Sequence, residues 1–170
     1  MKLIQLSSSD VRFKPINFED GLLSFFGYLN KETTKATLID DSSKDEFGNM
    51  AKVINQNIIK TEKLIEEDHA LIDDVKKVVN EVKNGFLNHR LEKTTQNESL
   101  EELKNSFNEM LQSLQLRVCT NINDISFALE KYAKLDFTHR TKGCNSDVTV
   151  GLNKLADIIN DMLVENKSNG

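Results

Sequence analysis

The chain has 170 residues, of which 38% are hydrophobic and 29% charged, with one proline and no tryptophan. This composition is typical of long amphipathic helices and not of a domain with a thick globular core. The formal net charge of -5 disfavours a nucleic-acid-binding surface. The longest apolar run, residues 21–29, is too short to span a bilayer, and no secretory leader is expected after Met1.

The first predicted element, after a lead-in of residues 1–13, is an amphipathic helix. Pro15 suits the first turn of a helix, because the amides of that turn are unpaired and proline has none to lose. The expected apolar face extends to about Asn30 and comprises Ile16, Leu22, Leu23, Phe25, Phe26 and Leu29. A polar connector follows, with Leu38 and Ile39 as its apolar anchors.

A second, long helix is predicted from about residue 45 to residue 83. Ser43 and Glu46 have the spacing of a capping box at its start. Its apolar seam comprises Phe47, Met50, Ile54, Ile58, Thr61, Ile65, Asp68, Ile72, Val75, Val79 and Val82. The steps of three and four are those of a coiled coil. Two consecutive steps of four between Met50 and Ile58 form a stutter, which locally unwinds a supercoil.

The long helix is predicted to end at Gly85, because glycine readily adopts the left-handed conformation that closes a helix. A second connector follows, with Leu87 and Leu91 as anchors. Another capping box then opens a helix that is expected to run unbroken to about Lys134. Its cap residues are Thr95 and Glu98, and its seam comprises Leu100, Leu103, Phe107, Leu111, Leu114, Val118, Ile122, Ile125, Leu129 and Tyr132.

The third connector spans residues 135–146 and contains Phe137. Asp147 is expected to cap the last helix, because a carboxylate can accept the unpaired amides of a first turn. The apolar positions of that helix are Val148, Leu152, Leu155, Ile159 and Met162.

The same pattern occurs three times with a period near 50 residues, which is the mark of a repeat array. Aligning each bulky residue that precedes an asparagine places Asn55, Asn108 and Asn160 in register. Each repeat is therefore predicted to be a helix, a connector and a second helix that continues into the next repeat. The predicted bounds are 14–64 for repeat 1, 65–113 for repeat 2 and 114–167 for repeat 3.

The connector length predicts how the two helices of a repeat are arranged. A dozen extended residues reach roughly 40 Å, whereas a helix of eleven to sixteen residues is roughly 16 to 24 Å long. The connector can therefore return along the first helix, so that the second helix starts level with it and runs parallel. Two parallel helices cannot enclose a four-sided core alone. The predicted fold is all-α, with two copies forming parallel four-helix bundles as a homodimer.

The chain resembles three tandem HAMP signalling modules over about residues 14–164. The stretch Asp45-Glu46-Phe47-Gly48 with Ile54-Asn55 is similar to that family's second helix, and Gly85-x-Leu87-x-x-x-Leu91 is similar to its connector. The resemblance implies structural or signalling roles for Pro15, Glu46, Phe47, Ile54, Asn55, Gly85, Leu87, Leu91, Glu98, Leu100, Phe107, Asn108, Phe137, Ile159 and Asn160.

The run from Gly21 to Ala51 is similar to methyl-accepting chemotaxis proteins of the Campylobacter and Arcobacter type. Two repeats depart from the family pattern. In repeat 1, Asn30 is nearest to the place of the connector glycine. In repeat 3, Leu135 stands in the place of Gly85, and Thr141 stands where repeat 2 has Leu91. The kinase-control hairpin and methylation segments of chemoreceptors have no match.

No set of residues predicts catalysis, a cofactor or a metal site. His89 and His139 each precede an arginine in equivalent connectors, so we interpret them as solvated connector residues. The histidines and cysteines lack the spacing of a metal site. Cys119 and Cys144 are interpreted as free thiols of a reducing cytoplasm, with a redox or disulfide role as the less favoured alternative.

Three functions remain as hypotheses. The first is a cytoplasmic signal relay, in which a parallel homodimer passes conformational changes from an input domain to a kinase-control domain of the same chemoreceptor. Any membrane attachment would come from parts outside this chain. The second is a passive dimeric coiled-coil spacer, which three evenly placed connectors disfavour. The third is an enzyme or ligand-binding bundle, which would need a polar cluster facing its core.

Overall fold

The computed structural model describes residues 16–168, which form five α-helices. The predicted all-α class is confirmed, since extended pairing within these residues is limited to two isolated bridges. The chain divides into two compact units, residues 1–66 and 67–170. Pro15 and the lead-in lie outside the described residues. The helices are α1 (Phe18–Leu29), α2 (Glu46–Lys83), α3 (Glu98–Arg117), α4 (Ile122–Ala133) and α5 (Asp147–Ser168).

In the first compact unit, the connector returns along α1. The Thr37 amide donates to the Ser24 hydroxyl over 2.9 Å, and the Asp40 amide donates to the Ile16 carbonyl over 2.8 Å. Later connector residues thus meet earlier residues of the helix, so α2 runs parallel to α1. Asn55 of α2 lies level with Ile16, just before α1, because both bind Ile39 of the connector. Ile16 was predicted on the apolar face of the helix. It instead precedes the Asn17 cap and pairs its backbone with the connector.

The start of α2 is capped by a different residue from the one predicted. The Asp45 carboxylate accepts the Gly48 amide over 3.0 Å, which is the bond that an N-cap makes. The Ser43 hydroxyl instead accepts the Asp45 amide at 3.4 Å. The Gly48 amide, together with a hydrogen bond from the Ser43 side chain to the carboxyl, holds the pKa of Asp45 below its ordinary value. The capping box predicted for Ser43 and Glu46 is therefore wrong, because a carboxylate nearer to the helix takes the position.

In the second compact unit, the connector after α2 returns in the same way. The Gly85 carbonyl accepts a hydrogen bond from the Ile122 amide over 2.8 Å, and the Asp74 carboxylate accepts one from the Lys93 amide over 3.1 Å. Asp68, one helical turn and a half earlier, binds the side chain of Asn97 at the start of α3. Contacts at both ends therefore make α3 parallel to this part of α2. The buried core between them comprises Leu71, Val78, Leu91 and Leu111.

The cap of α3 also differs from the prediction. Asn97 is the N-cap, and its side chain accepts the Leu100 amide. Thr95 was expected to cap the helix, but its hydroxyl donates to Asp68 and its amide donates to Glu101 over 2.8 Å. The connector thus uses Thr95 to hold α2 and α3 together, which a local capping pattern cannot reveal.

The helix predicted to run unbroken from repeat 2 into repeat 3 is interrupted. The last residue of α3 is Arg117, and α4 starts afresh at Ile122 with Asn121 as its N-cap. The Leu87 amide donates to the Thr120 carbonyl over 2.8 Å. The backbone between α3 and α4 thus leaves the helical bonding pattern and pairs with the start of the second connector. The other predicted long helix, α2, is continuous.

The third connector returns along α4. The Tyr132 hydroxyl donates to the His139 carbonyl over 3.0 Å, and the Ser146 hydroxyl donates to the Val118 carbonyl just before α4. The start of α5 is thereby held beside the start of α4, and the two helices run parallel. Their small core comprises Ala128, Tyr132 and Ala156, with Phe137 and Leu152 packed against it.

Candidate functional site

In each repeat, one asparagine of the second helix binds the connector backbone with both ends of its side-chain amide. The amide oxygen accepts the N–H of one connector residue, and the amide nitrogen donates to the carbonyl of that same residue. The six distances lie between 2.8 and 3.1 Å. We call these pairs the connector clamps: Asn55 with Ile39, Asn108 with Leu91, and Asn153 with Thr141.

An asparagine suits this position because its amide carries a donor and an acceptor side by side. The clamped connector residue is buried in every repeat, with Ile39 1%, Leu91 4% and Thr141 7% exposed. A buried backbone outside a helix or sheet must find partners for both its N–H and its C=O. The clamp supplies both partners at once, so it fixes the height of the connector against the second helix.

The third clamp uses Asn153, which lies seven residues before the predicted Asn160. The prediction for Asn160 was based on a bulky residue followed by asparagine, and Leu152-Asn153 has the same form as Ile159-Asn160. The two pairs are one heptad apart and so occupy nearly the same helix face. Periodicity cannot choose between them. The contact of Ser146 with Val118 sets where α5 begins. It therefore places Asn153, and not Asn160, beside the connector.

The three connectors also leave their first helices in the same way. Lys31, Gly85 and Leu135 have φ values of 62°, 92° and 63°. Each donates its amide to the carbonyl three residues before it, and the next amide donates to the carbonyl five residues before it, over 2.8–3.0 Å. These bonds form a Schellman motif. Leu135, which the sequence shows only as a departure from the family pattern, adopts the same left-handed conformation as Gly85. In repeat 1 the left-handed residue is Lys31. Asn30, which the sequence placed nearest to the connector glycine, is instead an ordinary C-cap with φ -79°.

Two arginines that the sequence reasoning did not single out brace the second and third connectors. Arg90 and Arg140 each donate to the carbonyls one and three residues before them, over 2.6–2.8 Å. Each also reaches the second helix of its repeat, with Gln115 as the partner of Arg90 and Asp157 as that of Arg140. The signal was present in the sequence, since the two His-Arg pairs are separated by 50 residues.

The apolar connector residues are placed between the helices. Leu87 is 2% exposed, and Phe137 stacks on Tyr132 with ring centroids 5.4 Å apart. The remaining predicted positions divide by burial. Glu46 and Glu98 are exposed first residues of helices, Phe47 is exposed, and the half-buried ones are Ile54, Leu100, Phe107, Ile159 and Asn160.

Along the helices, apolar side chains remain open to solvent beside the buried residues. Phe47 and Met50 in the first compact unit are 67% and 50% exposed. In the second, Ile72 and Leu103 line an apolar groove of about 130 Å³ between α2 and α3. We call the exposed members of the predicted seams the open seam: Phe47, Met50, Ile72, Leu103, Leu114, Ile122, Leu129, Val148, Leu155 and Met162.

Among residues 16–168, no three His, Cys, Asp or Glu side chains are grouped so that they could hold a metal ion. None of the described helices has both the length and the apolar character needed to cross a membrane. No protein-family model, curated protein or solved structure matches the chain. The interpretation of the clamps and the open seam therefore rests on their own geometry.

Proposed function

We propose that this chain is a signal-relay segment of the chemoreceptor type, made of three HAMP-like modules that work as a parallel homodimer. It would pass conformational changes from an input domain to a kinase-control domain of the same receptor. The observation that carries the proposal is the connector clamp, which occurs in all three repeats with the same pair of bonds. A clamped, returning connector is what a pair of parallel helices needs.

The open seam supports a second copy of the chain as the partner. Within each repeat, two parallel helices and a connector bury only one side of each helix, and large apolar residues such as Phe47 and Leu103 stay exposed. Large exposed apolar patches are rare on monomers and common at interfaces. A second copy would present the same open seam in the same direction, and the two open seams would form the core of a four-helix bundle.

A relay also needs two packings of nearly equal energy, which an input can bias. The seam is suited to this because it mixes apolar residues with Thr61 and Asp68 and contains a stutter between Met50 and Ile58. Asp68 is held by Thr95 and Asn97, so a shift of α2 would change the start of α3 as well. A passive spacer would have no use for such a linkage.

The dimer is tested by disulfide cross-linking in the Cys119→Ser, Cys144→Ser background. Met50→Cys, in the open seam, should cross-link the two copies efficiently under mild oxidation. Gln56→Cys is the matched control, because it is exposed on the same helix and roughly 120° away around its axis. Equal cross-linking at both positions, or a monomer by sedimentation at high concentration, would overturn the dimer.

The relay is tested by insertions after Glu66 in a chimeric receptor that joins this chain to a sensor and a kinase-control domain. Four inserted residues rotate the downstream part of α2 by about 40°, and seven rotate it by about 20° in the opposite sense. We expect a strong change in kinase activity for four residues and a milder one for seven, with helicity unchanged. Parental activity for both insertions would favour the passive spacer.

A further inference from the structure

Cys119 and Cys144 come from different parts of the second compact unit and lie close together. Cys119 lies between α3 and α4, and Cys144 lies near the end of the third connector. The backbone on both sides is anchored, since the Ser146 hydroxyl donates to the Val118 carbonyl and the Thr149 hydroxyl donates to the Cys144 carbonyl over 2.9 Å. The Ser146–Val118 bond lies one residue from Cys119 and two residues from Cys144, so it brings the two free cysteines next to each other.

The environments of the two sulfurs differ in a way that suits two different roles. Cys119 is 1% exposed, and burial raises the pKa of its thiol. Cys144 is partly exposed. Burial alone would raise the pKa of Cys144, but hydrogen bonds from Cys119, Ser146 and the Thr120 amide outweigh it and bring the pKa to about 7. The Ser146 hydroxyl has a single hydrogen, and the Val118 carbonyl also accepts it. The backbone amides are therefore the donors that the Cys144 sulfur does not share with another acceptor.

We propose that Cys119 and Cys144 form a peroxide-sensitive thiol pair, in which Cys144 reacts first and Cys119 then closes an intramolecular disulfide. The Cys144 thiolate attacks one oxygen of hydrogen peroxide, the O–O bond breaks, and hydroxide leaves. The Cys119 sulfur then attacks the resulting sulfenic acid, and its S–H proton leaves with the departing hydroxyl as water. In total, two thiols are oxidised and one peroxide is reduced to two waters.

Accessibility and acidity assign the order of the two steps. Oxidants react with an exposed thiolate, and a thiol with a pKa near 7 is about half ionised at neutral pH. Cys119 meets neither condition, but the Ser146–Val118 bond holds it beside Cys144, so it can attack the sulfenic acid without solvent access. The pair thus has the two properties of a redox-sensing site: a reactive thiol and an adjacent resolving thiol.

The disulfide would tie the end of the third connector to the break between α3 and α4. It would close the loop that contains α4 and most of the connector, and such a closure removes conformations mainly from the unfolded chain. The start of α5 would then be locked beside the start of α4, where Ser146 and Val118 already hold it by a hydrogen bond. This inference does not depend on the relay function or on the dimer.

The test treats the full chain with one equivalent of hydrogen peroxide at neutral pH and follows thiol loss and peptide masses. The expected product is a cross-link between Cys119 and Cys144 within one polypeptide, which dithiothreitol reverses. Oxidation should raise the thermal midpoint by roughly 5 °C. The variant Cys119→Ser should stop at a Cys144 sulfenic acid that dimedone traps. The variant Cys144→Ser should lose its remaining thiol about tenfold more slowly, because that thiol is buried and protonated.

Several results would overturn the proposal. They are equal peroxide reactivity in the two variants, a cross-link only between two chains, or oxidation of Cys144 to sulfinic acid in the parent chain without a disulfide. Serine is close to cysteine in size, and circular dichroism establishes that each variant is folded. If Cys119→Ser does not fold, the parent chain still decides the matter, because the cross-link and its reversal are read there directly.

Discussion

The second and third repeats make the same backbone turn with different residues. Repeat 2 leaves its first helix through Gly85, whose φ of 92° costs glycine nothing, whereas repeat 3 uses Leu135 at φ 63°. The hydrogen bonds around the two residues are the same. The returning connector therefore demands a backbone conformation, and repeat 3 meets it with a residue that disfavours that conformation.

The clamps show the same contrast. In repeat 2 the clamped residue is the apolar Leu91, while in repeat 3 it is Thr141, whose hydroxyl also donates to Asn153 over 3.0 Å. Thr141 thus adds a third bond to the clamp, and repeat 3 compensates in this way for its smaller apolar core. The comparison separates what the connector geometry requires from what each repeat uses to provide it.

The largest effect is expected from removing a clamp in repeat 3. Asn153→Ala leaves the buried N–H and C=O of Thr141 without partners, which should lower the free energy of unfolding by about 2–4 kcal/mol. Asn160→Ala, one heptad away and outside the clamp, should lower it by less than about 1 kcal/mol. Urea unfolding followed by circular dichroism measures both. Equal losses would mean that the clamp is not at Asn153.

The next effect comes from the turn of repeat 2. Gly85→Val places a β-branched residue at positive φ, and its Cβ would lie 2.8 Å from the Asn123 amide nitrogen. We expect a loss of about 2–3 kcal/mol in thermal or urea unfolding. Gly151→Ala is the control, since that glycine is helical with open space around it and the change should be neutral or stabilising. An unchanged Gly85→Val protein would mean that the turn is elsewhere.

The reverse substitution in repeat 3 should stabilise the protein. Leu135 is 77% exposed, so little burial is lost in Leu135→Gly, while the left-handed strain is relieved. We expect a gain of about 1 kcal/mol, seen as a higher midpoint in urea. Leu135→Ala is the control, because it removes the same side chain without relieving φ. A gain of equal size in the alanine variant would assign the effect to the side chain alone.

The smallest effect is the pH dependence of the stability that Asp74 contributes in repeat 2. Burial would raise the pKa of Asp74, but its carboxylate accepts hydrogen bonds from the Lys93 and Glu92 amides. These bonds lower the pKa overall. Its contribution is thus present above the unfolded value of about 3.9 and is lost as pH falls through the lower folded value. Asp74→Asn should destabilise at pH 7 and lose most of that deficit near pH 2. A deficit that is constant with pH would contradict this.

Periodicity and local signals in the sequence determined α1, the unbroken α2, α5 and the places of the connectors. They sufficed because helix phase depends on residues three and four apart, and because Asn84-Gly85 ends a helix by its own conformational preference. The clamps at Asn55 and Asn108 also fell on asparagines that the repeat pattern had aligned. Alignment placed Leu135 opposite Gly85 only as a departure from the family pattern, and its left-handed conformation was not predicted, because leucine itself carries no turn signal.

Only the tertiary structure decided the features that depend on contacts distant in sequence. The break between α3 and α4 exists because Thr120 and Ile122 pair with the second connector, more than thirty residues earlier. The choice of Asn153 over Asn160 is likewise set by how far along α5 the connector reaches. Two lone cysteines became a pair for the same reason: the folded connector brings Cys144 back to the start of α4.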